Sequence, residues 1–360
     1  MIRKFNSVAI AALAMLAAAG AQAQSSVSIY GTIDMSVGTF KDASTGTYAA
    51  EGTRKQGVES GKMQTSYIGF AGTEDLGGGL KAKFKLESFI LADTGSTLPQ
   101  AKTGGFWGRN SWVGLNGGFG SVVAGLNETP LFDATLAFNP FVASFGFSPS
   151  IRQYYGSYGH EAEDTAWSNS VTYYTPDGLG GFNGALQYSF KENGTGSGNV
   201  GGSVGWGAGP FALAAVFQQY KTGYSSGSQN TWQIDGSYDF GVFKLFGQYG
   251  EVKDTRAGSL TATPAGVPFK DKNWQIGGSI PLGAGALLAS YGEQKHDLTA
   301  AGATETDKND TFSLAYDYNL SKRTDVYVAY MYDKATAKGV TPARSFDNAN
   351  SFGVGLKHRF

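Results

Sequence analysis

The chain has 360 residues, no cysteine and a formal charge of −1. The missing cysteine excludes a disulfide framework, a thiolate zinc site and a catalytic thiol, and a nearly neutral chain makes a poor nucleic-acid binder. Glycine is abundant at 53, proline scarce at 10, and charged residues make up 16%, where soluble domains carry about 25%. That balance fits neither disorder nor an ordinary soluble enzyme.

The first residues, Met1-Ile2-Arg3-Lys4, lead into a small and apolar stretch over 8–21 and then Ala21-Gln22-Ala23. This reads as a secretory signal peptide over 1–23, cleaved between Ala23 and Gln24. A membrane anchor is the alternative, but a spanning helix needs about 20 apolar residues. Residues 24–360 then form one domain, and without Arg3 and Lys4 its charge is −3. Its longest apolar run is the seven residues of 211–217, so any later passage through a membrane must use strands.

Period-two alternation dominates this domain. Trp232, Ile234, Gly236, Tyr238 and Phe240 alternate with Thr231, Gln233, Asp235, Ser237 and Asp239, and Leu80, Ala82, Phe84 and Leu86 alternate with Lys81, Lys83, Lys85 and Glu87. Each such segment is a strand with one apolar and one polar face. In chain order the pattern predicts strands at 29–37, 66–72, 80–88, 107–115, 121–126, 169–175, 182–190 and 200–206. Eight more follow at 211–219, 231–240, 242–250, 273–280, 286–292, 311–318, 325–332 and 351–360, an even total of sixteen.

Alternation alone suits a soluble sandwich as well as a transmembrane barrel. Three features favour the barrel. Aromatic residues mark strand ends (Tyr30, Phe40, Trp112, Trp206, Tyr220, Trp232, Phe240, Tyr249, Trp274, Tyr291, Tyr332), as interfacial girdles require. Short glycine-bearing turns, as at 74–79 and 116–120, alternate with longer polar connections at 41–61, 90–105, 127–168, 191–198, 221–229, 251–272, 293–308 and 333–349. Finally, the chain ends on a strand with Phe352, Val354, Leu356 and Phe360 at one parity. The expected fold is therefore all-β: a transmembrane antiparallel up-and-down barrel of 16 strands, wide enough to hold a water-filled channel.

Three segments, Ser26-Val27-Ser28-Ile29-Tyr30-Gly31-Thr32-Ile33-Asp34, Gly72-Thr73-Glu74-Asp75-Leu76-Gly77-Gly78-Gly79-Leu80-Lys81-Ala82 and Gly108-Arg109-Asn110-Ser111-Trp112-Val113-Gly114-Leu115, carry a specific likeness. Together with Thr129-Pro130-Leu131-Phe132-Asp133 and the terminal Phe360 they resemble the general porins of beta-proteobacteria. The resemblance implies a homotrimer in the Gram-negative outer membrane, passive diffusion of small hydrophilic solutes and ions, and a third extracellular loop folded into the lumen. It further implies contact with outer-membrane lipid and lipopolysaccharide, and recognition of Phe360 by the barrel assembly machinery. No cofactor, metal or nucleic-acid partner is expected.

A passive pore discriminates by bore and charge rather than by a catalytic constellation. The bore is expected from the connection 127–168, whose many aromatic residues should pack against the wall; a surface lid is the other reading. One charged wall is expected from Lys81, Lys83, Lys85 and Arg109, the last at the family's Gly-Arg position, with facing acids Glu87, Asp133, Glu161, Glu163 and Asp164. Relatives carry arginine where this chain has Tyr67 in Ser66-Tyr67-Ile68-Gly69, Leu126 after Gly125, and Ala166 or Trp167 before Ser168. A weakly selective pore with more aromatic lining follows, its sign left open. An enzyme is disfavoured, because His160, His296 and His358 are the only histidines and none sits in a catalytic signature. An adhesive closed barrel and a substrate-specific channel remain as rivals.

Overall fold

The computed structural model describes residues 26–41, 54–97, 105–155, 165–191, 198–221, 227–255, 268–300, 303–338 and 348–360. The leader and the Ala23–Gln24 junction lie outside them. The strands are β1 (Ser26–Phe40), β2 (Lys55–Ser60), β3 (Tyr67–Gly77), β4 (Leu80–Leu91), β5 (Ser96–Thr97), β6 (Asn110–Gly117), β7 (Gly120–Glu128), β8 (Ala166–Tyr174) and β9 (Phe182–Ser189). They continue as β10 (Asn199–Ala208), β11 (Phe211–Tyr220), β12 (Gln229–Asp239), β13 (Lys244–Asp254), β14 (Phe269–Leu282), β15 (Gly285–Ala300), β16 (Ala303–Asn319), β17 (Thr324–Lys338) and β18 (Ala349–Arg359). Two helices, α1 (Pro130–Ala137) and α2 (Pro149–Tyr155), complete the described residues.

Every neighbouring pair is antiparallel, and β1 pairs with both β3 and β18, so the sheet closes on itself. β2 pairs with the upper half of β1 and continues β3 across a break, while β5 is only the return of the β4 tip. The ring therefore has sixteen staves. Each strand expected from the sequence lies on one of them. The exception in detail is 107–115, which pairs only from Asn110 onward.

Burial along the staves is inverted relative to a soluble protein. On β12, Gln229, Thr231, Gln233, Asp235 and Ser237 are buried, whereas Ile234 is 57% exposed. The same holds on β11, β14 and β18, where Leu213, Phe217, Ile276, Ile280, Phe352 and Val354 point outward. A closed sheet satisfies every ladder hydrogen bond internally, and an apolar outer face around a polar interior is stable only in lipid. Trp206, Trp232, Phe240, Tyr249, Trp274, Tyr291 and Tyr332 lie on this outer face, several as cross-strand pairs such as Trp232 with Tyr249 and Trp274 with Tyr291.

Four of the expected girdle aromatics face the other way. Tyr30, Phe40, Trp112 and Tyr220 share parity with buried inward residues: Tyr30 reaches Glu87, Phe40 packs with Met63, Phe141 and Phe147, Trp112 stands opposite Lys85, and Tyr220 lies beside Trp167. Position near a strand end does not reveal a side chain's face; parity does.

The connection expected at 293–308 is also largely strand. β15 and β16 stay in register from Gly285–Tyr318 to Ala300–Ala303. Both faces of this extension carry polar residues, which removes the amphipathic signal on which the sequence reading relied. The wall is consequently uneven: β14 to β17 are 14 to 17 residues long, and β6 to β9 only 8 or 9.

The short ends are made by turns such as Gly77-Gly78-Gly79, where three successive residues at φ +86°, +61° and +82° admit only glycine comfortably. The seam is finished by the last residue. Gly31 and Phe360 exchange backbone hydrogen bonds of 3.3 and 3.2 Å, and a Cβ at Gly31 would meet the Tyr67 carbonyl oxygen at 2.4 Å and the Phe360 ring at 2.7 Å. Gly31→Val should therefore overpack the seam by about 1–3 kcal/mol. A lower transition temperature of the folded barrel, read by its heat-modifiable electrophoretic mobility, is the expected result, with no change in ion selectivity.

Candidate functional site: a loop-crossed constriction

The segment between β7 and β8 builds the site. Thr129 accepts the Phe132 amide at 3.2 Å and caps α1, with Pro130 at the first helical position. The Thr129 amide in turn donates to the Thr165 carbonyl at 2.9 Å, tying the two ends of the segment together. Leu131, Phe132, Ile151, Tyr154 and Tyr155 pack with Val216, Val252, Phe269 and Leu298, all inward-facing residues of β11, β13, β14 and β15. Of the aromatics expected to resist solvation, Phe132, Tyr154 and Tyr155 are thus buried against the inner wall.

Polar contacts fix the same placement. Gln248 donates to the Thr135 carbonyl at 3.1 Å, the Ser150 amide to Gln275 at 3.0 Å, and Gln294 to the Gln153 carbonyl at 2.8 Å. Arg152 pairs with Asp333 at 2.8 Å, both 1% exposed, and Thr311 donates to the same carboxylate at 2.7 Å. On the near side, the break between β2 and β3 serves as a catch. The Lys62 carbonyl accepts Ser144 Oγ at 2.7 Å and the Gly146 amide at 3.1 Å, and a Cβ at Gly146 would sit 2.7 Å from that oxygen. Asp34 holds the break itself, accepting the amides of Met63 and Gln64 at 2.7 and 2.9 Å and the Tyr327 hydroxyl at 2.8 Å.

Between this segment and β3, β4 and β6 lies a cluster of charge. Arg109 binds Glu87 through Nη1 and Glu128 through Nη2 at 3.2 Å, and its guanidinium lies 4.4 Å from the centre of the Tyr67 ring. Glu87, 1% exposed, also accepts the Tyr30 hydroxyl at 2.6 Å and Asn110 Nδ2 at 2.7 Å. Lys85 stands 3.9 Å from Glu87 and over the Trp112 ring. A gap of about 30 Å³, room for one or two waters, separates Arg109 and Glu128 from Phe132 and Phe145 of the loop.

The sequence-predicted residues thus fall into groups. Tyr67, Lys85, Glu87 and Arg109 meet in one cluster. Lys81 and Lys83 point into the lumen nearer the short turns, opposite Asn116 and Gly114, with no ion pair among the described residues. Glu161, Glu163 and Asp164 lie outside the described residues. Glu87 does not face Arg109 across a bore: the two are on adjacent staves, since the Arg109 amide donates to the Glu87 carbonyl and Asn110 pairs with Glu87. Sequence reasoning missed Glu128. Its signal was its position as the last residue of β7, where the chain leaves the wall for the loop.

Asp133, in the first turn of α1, is the acid on the loop side. Burial first, and repulsion from Glu128 second, push its carboxyl up to about 7, with Lys85 and Arg109 opposing. It consequently changes charge near neutral pH.

The family profile described as Gram-negative porin matches residues 9–338. The chain belongs to the Gram-negative porins. Outer membrane porin protein 32 of Delftia acidovorans is 32% identical over 97% of this chain and 98% of its own length. An outer membrane porin protein of Bordetella pertussis is 30% identical over 97% and 98%. Among solved structures, the anion-selective porin from Comamonas acidovorans matches with a TM-score of 0.74 at 29% identity, covering 94% of this chain and 100% of that one. An outer-membrane protein of Vibrio cholerae, 17% identical with a TM-score of 0.67, shares the fold. The porin is therefore a multi-pass β-barrel of the outer membrane that forms a channel for passive diffusion.

Two outcomes are expected of the constriction. Arg152→Met removes the cation from a buried pair and should cost roughly 3–5 kcal/mol, loosening α2 from β17; single-channel records should show added noise and larger mean current. Arg152→Met combined with Asp333→Leu should restore much of the quiet state. For Asp133, ionisation above pH 7 adds negative charge, so the reversal potential in a salt gradient should move toward cations between pH 6 and 8. In Asp133→Asn it should stay at the acid-side value.

Proposed function

We propose that this porin is a weakly charge-selective general diffusion channel for small hydrophilic solutes and ions. Its eyelet would be formed by Tyr67, Lys85, Glu87, Arg109 and Glu128 on the wall and Asp133 on the loop. The observation that carries this reading is the double neutralisation of Arg109. A guanidinium held by Glu87 and Glu128 contributes little net field to the passage, in contrast to an uncompensated arginine ring. Lys81 and Lys83 then supply the positive field, and the loop acids oppose it. Anion selectivity is a property of the Comamonas protein; the reading here is that this pore retains only part of it.

The homotrimer belongs to the same proposal. Staves of 8 or 9 residues at β6 to β9 sit at or just below the lower end of the range of about 9–11 that a lipid-facing strand needs. Their exposed Val113, Leu115 and Val122 suit a neighbouring subunit. A leader over 1–23, recognition of Phe360 by the assembly machinery and the absence of any catalytic step complete the reading, which the family and its relatives support as channels.

Reversal potentials in planar bilayers test the eyelet. Glu128→Gln uncovers Arg109 and should shift selectivity toward anions by about two-fold or more in permeability ratio, whereas Arg109→Glu should shift it toward cations. Unchanged potentials in both variants would dismiss the assignment.

A further inference from the structure

The loop shows the passage a surface unlike the wall it faces. Between Pro130 and Tyr155 only Ala137 and Val142 are exposed, and Asp133, Leu136, Ala143, Phe145 and Gly146 are half-buried. The other side chains are turned against the barrel. α1 and α2 pack on inward residues of β11 to β15, and Phe141 and Phe147 pack with Phe40, Leu288, Ala329 and Met331. The residues left uncovered therefore look into the open lumen. Among them Asp133 carries the one charge, and Leu136, Ala137, Val142, Ala143 and Phe145 are apolar. Ala143 and Phe145 border the gap across from Arg109 and Glu128.

Val142 is held in an unfavourable conformation. Its φ is +46°, in the left-handed region that a β-branched residue rarely adopts, and its side chain is 55% exposed. Asn139, 2% exposed, imposes this turn. Its Nδ2 donates to the Thr135 carbonyl at 2.6 Å and the Val142 carbonyl at 3.1 Å, while Oδ1 accepts the Phe141 amide at 2.9 Å and the Ser148 hydroxyl at 3.1 Å. Pro140 lies over Gly277 of β14, and the Lys62 carbonyl accepts both Ser144 and Gly146. Backbone strain persists where its surroundings over-determine it, and such places cluster at functional sites. Packing does not call for valine here, because little of the side chain is covered; glycine or asparagine would suit the backbone better.

We propose that the loop rim formed by Ala137, Val142, Ala143 and Phe145 makes the passage amphipathic, so that it favours small organic anions with an apolar body, aromatic or branched aliphatic carboxylates, over polyhydroxylated anions of similar size. The carboxylate travels along β4, where Lys81, Lys83 and Lys85 face inward, and the apolar body travels along the loop. This rests on the diffusion-channel reading above and adds a preference in polarity to its preference in charge. A hydroxylated solute at the rim sheds water that the apolar side chains do not replace, and an unpaired hydroxyl out of water is unfavourable. An apolar ring suffers no such loss. Tyr67 and Phe89 on the facing wall offer it aromatic contact.

Bi-ionic reversal potentials of the intact porin in planar bilayers, chloride against benzoate and chloride against shikimate, test the rim. Both are six-membered-ring monocarboxylates, and shikimate carries three hydroxyl groups. The parent should pass benzoate about three-fold or more faster than shikimate. Val142→Thr combined with Ala137→Ser keeps shape and charge; it should bring that ratio to about half of the parent's or lower, while the potassium chloride reversal potential stays unchanged. A parent ratio near one, or a ratio that the double variant leaves untouched, would overturn the proposal. The parent's own ratio decides the matter should the variant fail to fold. Failure of the charged eyelet is a separate result: Glu128→Gln would then leave the potassium chloride potential unmoved with the benzoate preference intact.

Discussion

Closure of the backbone ladder governs this molecule. In lipid an unpaired amide or carbonyl costs several kcal/mol, so a sheet of this kind survives only if its first and last staves find one another. β1 does this twice over, pairing with β3 along its lower half and with β18 along its upper half. Gly31 and Phe360 finish the seam at the short-turn end. Once the ring is closed, the choice of face follows for every stave: apolar side chains stand toward lipid and polar ones toward water, the reverse of a soluble core.

A ring of sixteen staves leaves more interior than its own side chains can fill. The loop between β7 and β8 occupies part of it, and its attachments are those of a small core: aromatic and aliphatic packing around Leu131 and Ile151, glutamine side chains on loop carbonyls, and the buried Arg152–Asp333 pair. The catch at Lys62 and the Asp34 carboxylate belong to the opposite wall. Charge at the constriction is thereby set by geometry as much as by composition. Arg109 lies beside the loop, yet Glu87 and Glu128 of its own wall hold it.

Much of this was legible because parity is a strong signal over eight or more residues. The staves around Ile234 and Phe84 could be read directly, and the parity that places Lys81, Lys83 and Lys85 on the inner face came with them. What escaped had a physical cause in each case. Tyr30, Phe40, Trp112 and Tyr220 stand near strand ends as girdle residues do, and only the parity they share with buried inward residues gives their face. The extension of β15 and β16 carries Lys295 and Asp297 on one face and His296 on the other, so hydropathy does not alternate although the backbone does. Glu87 and Arg109 are 22 residues apart in sequence, and their union on adjacent staves depends on a register that composition does not encode. Glu128, at the end of β7, meets Arg109 through the same adjacency of staves.

The loop has a mechanical consequence as well as an electrostatic one. A tall, thin-walled cylinder in a membrane is prone to flatten under lateral pressure, because bending a sheet between staves is soft compared with stretching its hydrogen bonds. Here the crossing segment is anchored at β7 and β8, braced on β11 to β17 and hooked to the break below β2. It works as a strut across the cross-section. An oval distortion would have to shear a dry aromatic contact and separate a buried ion pair, so the bore keeps its shape when lipid tension changes.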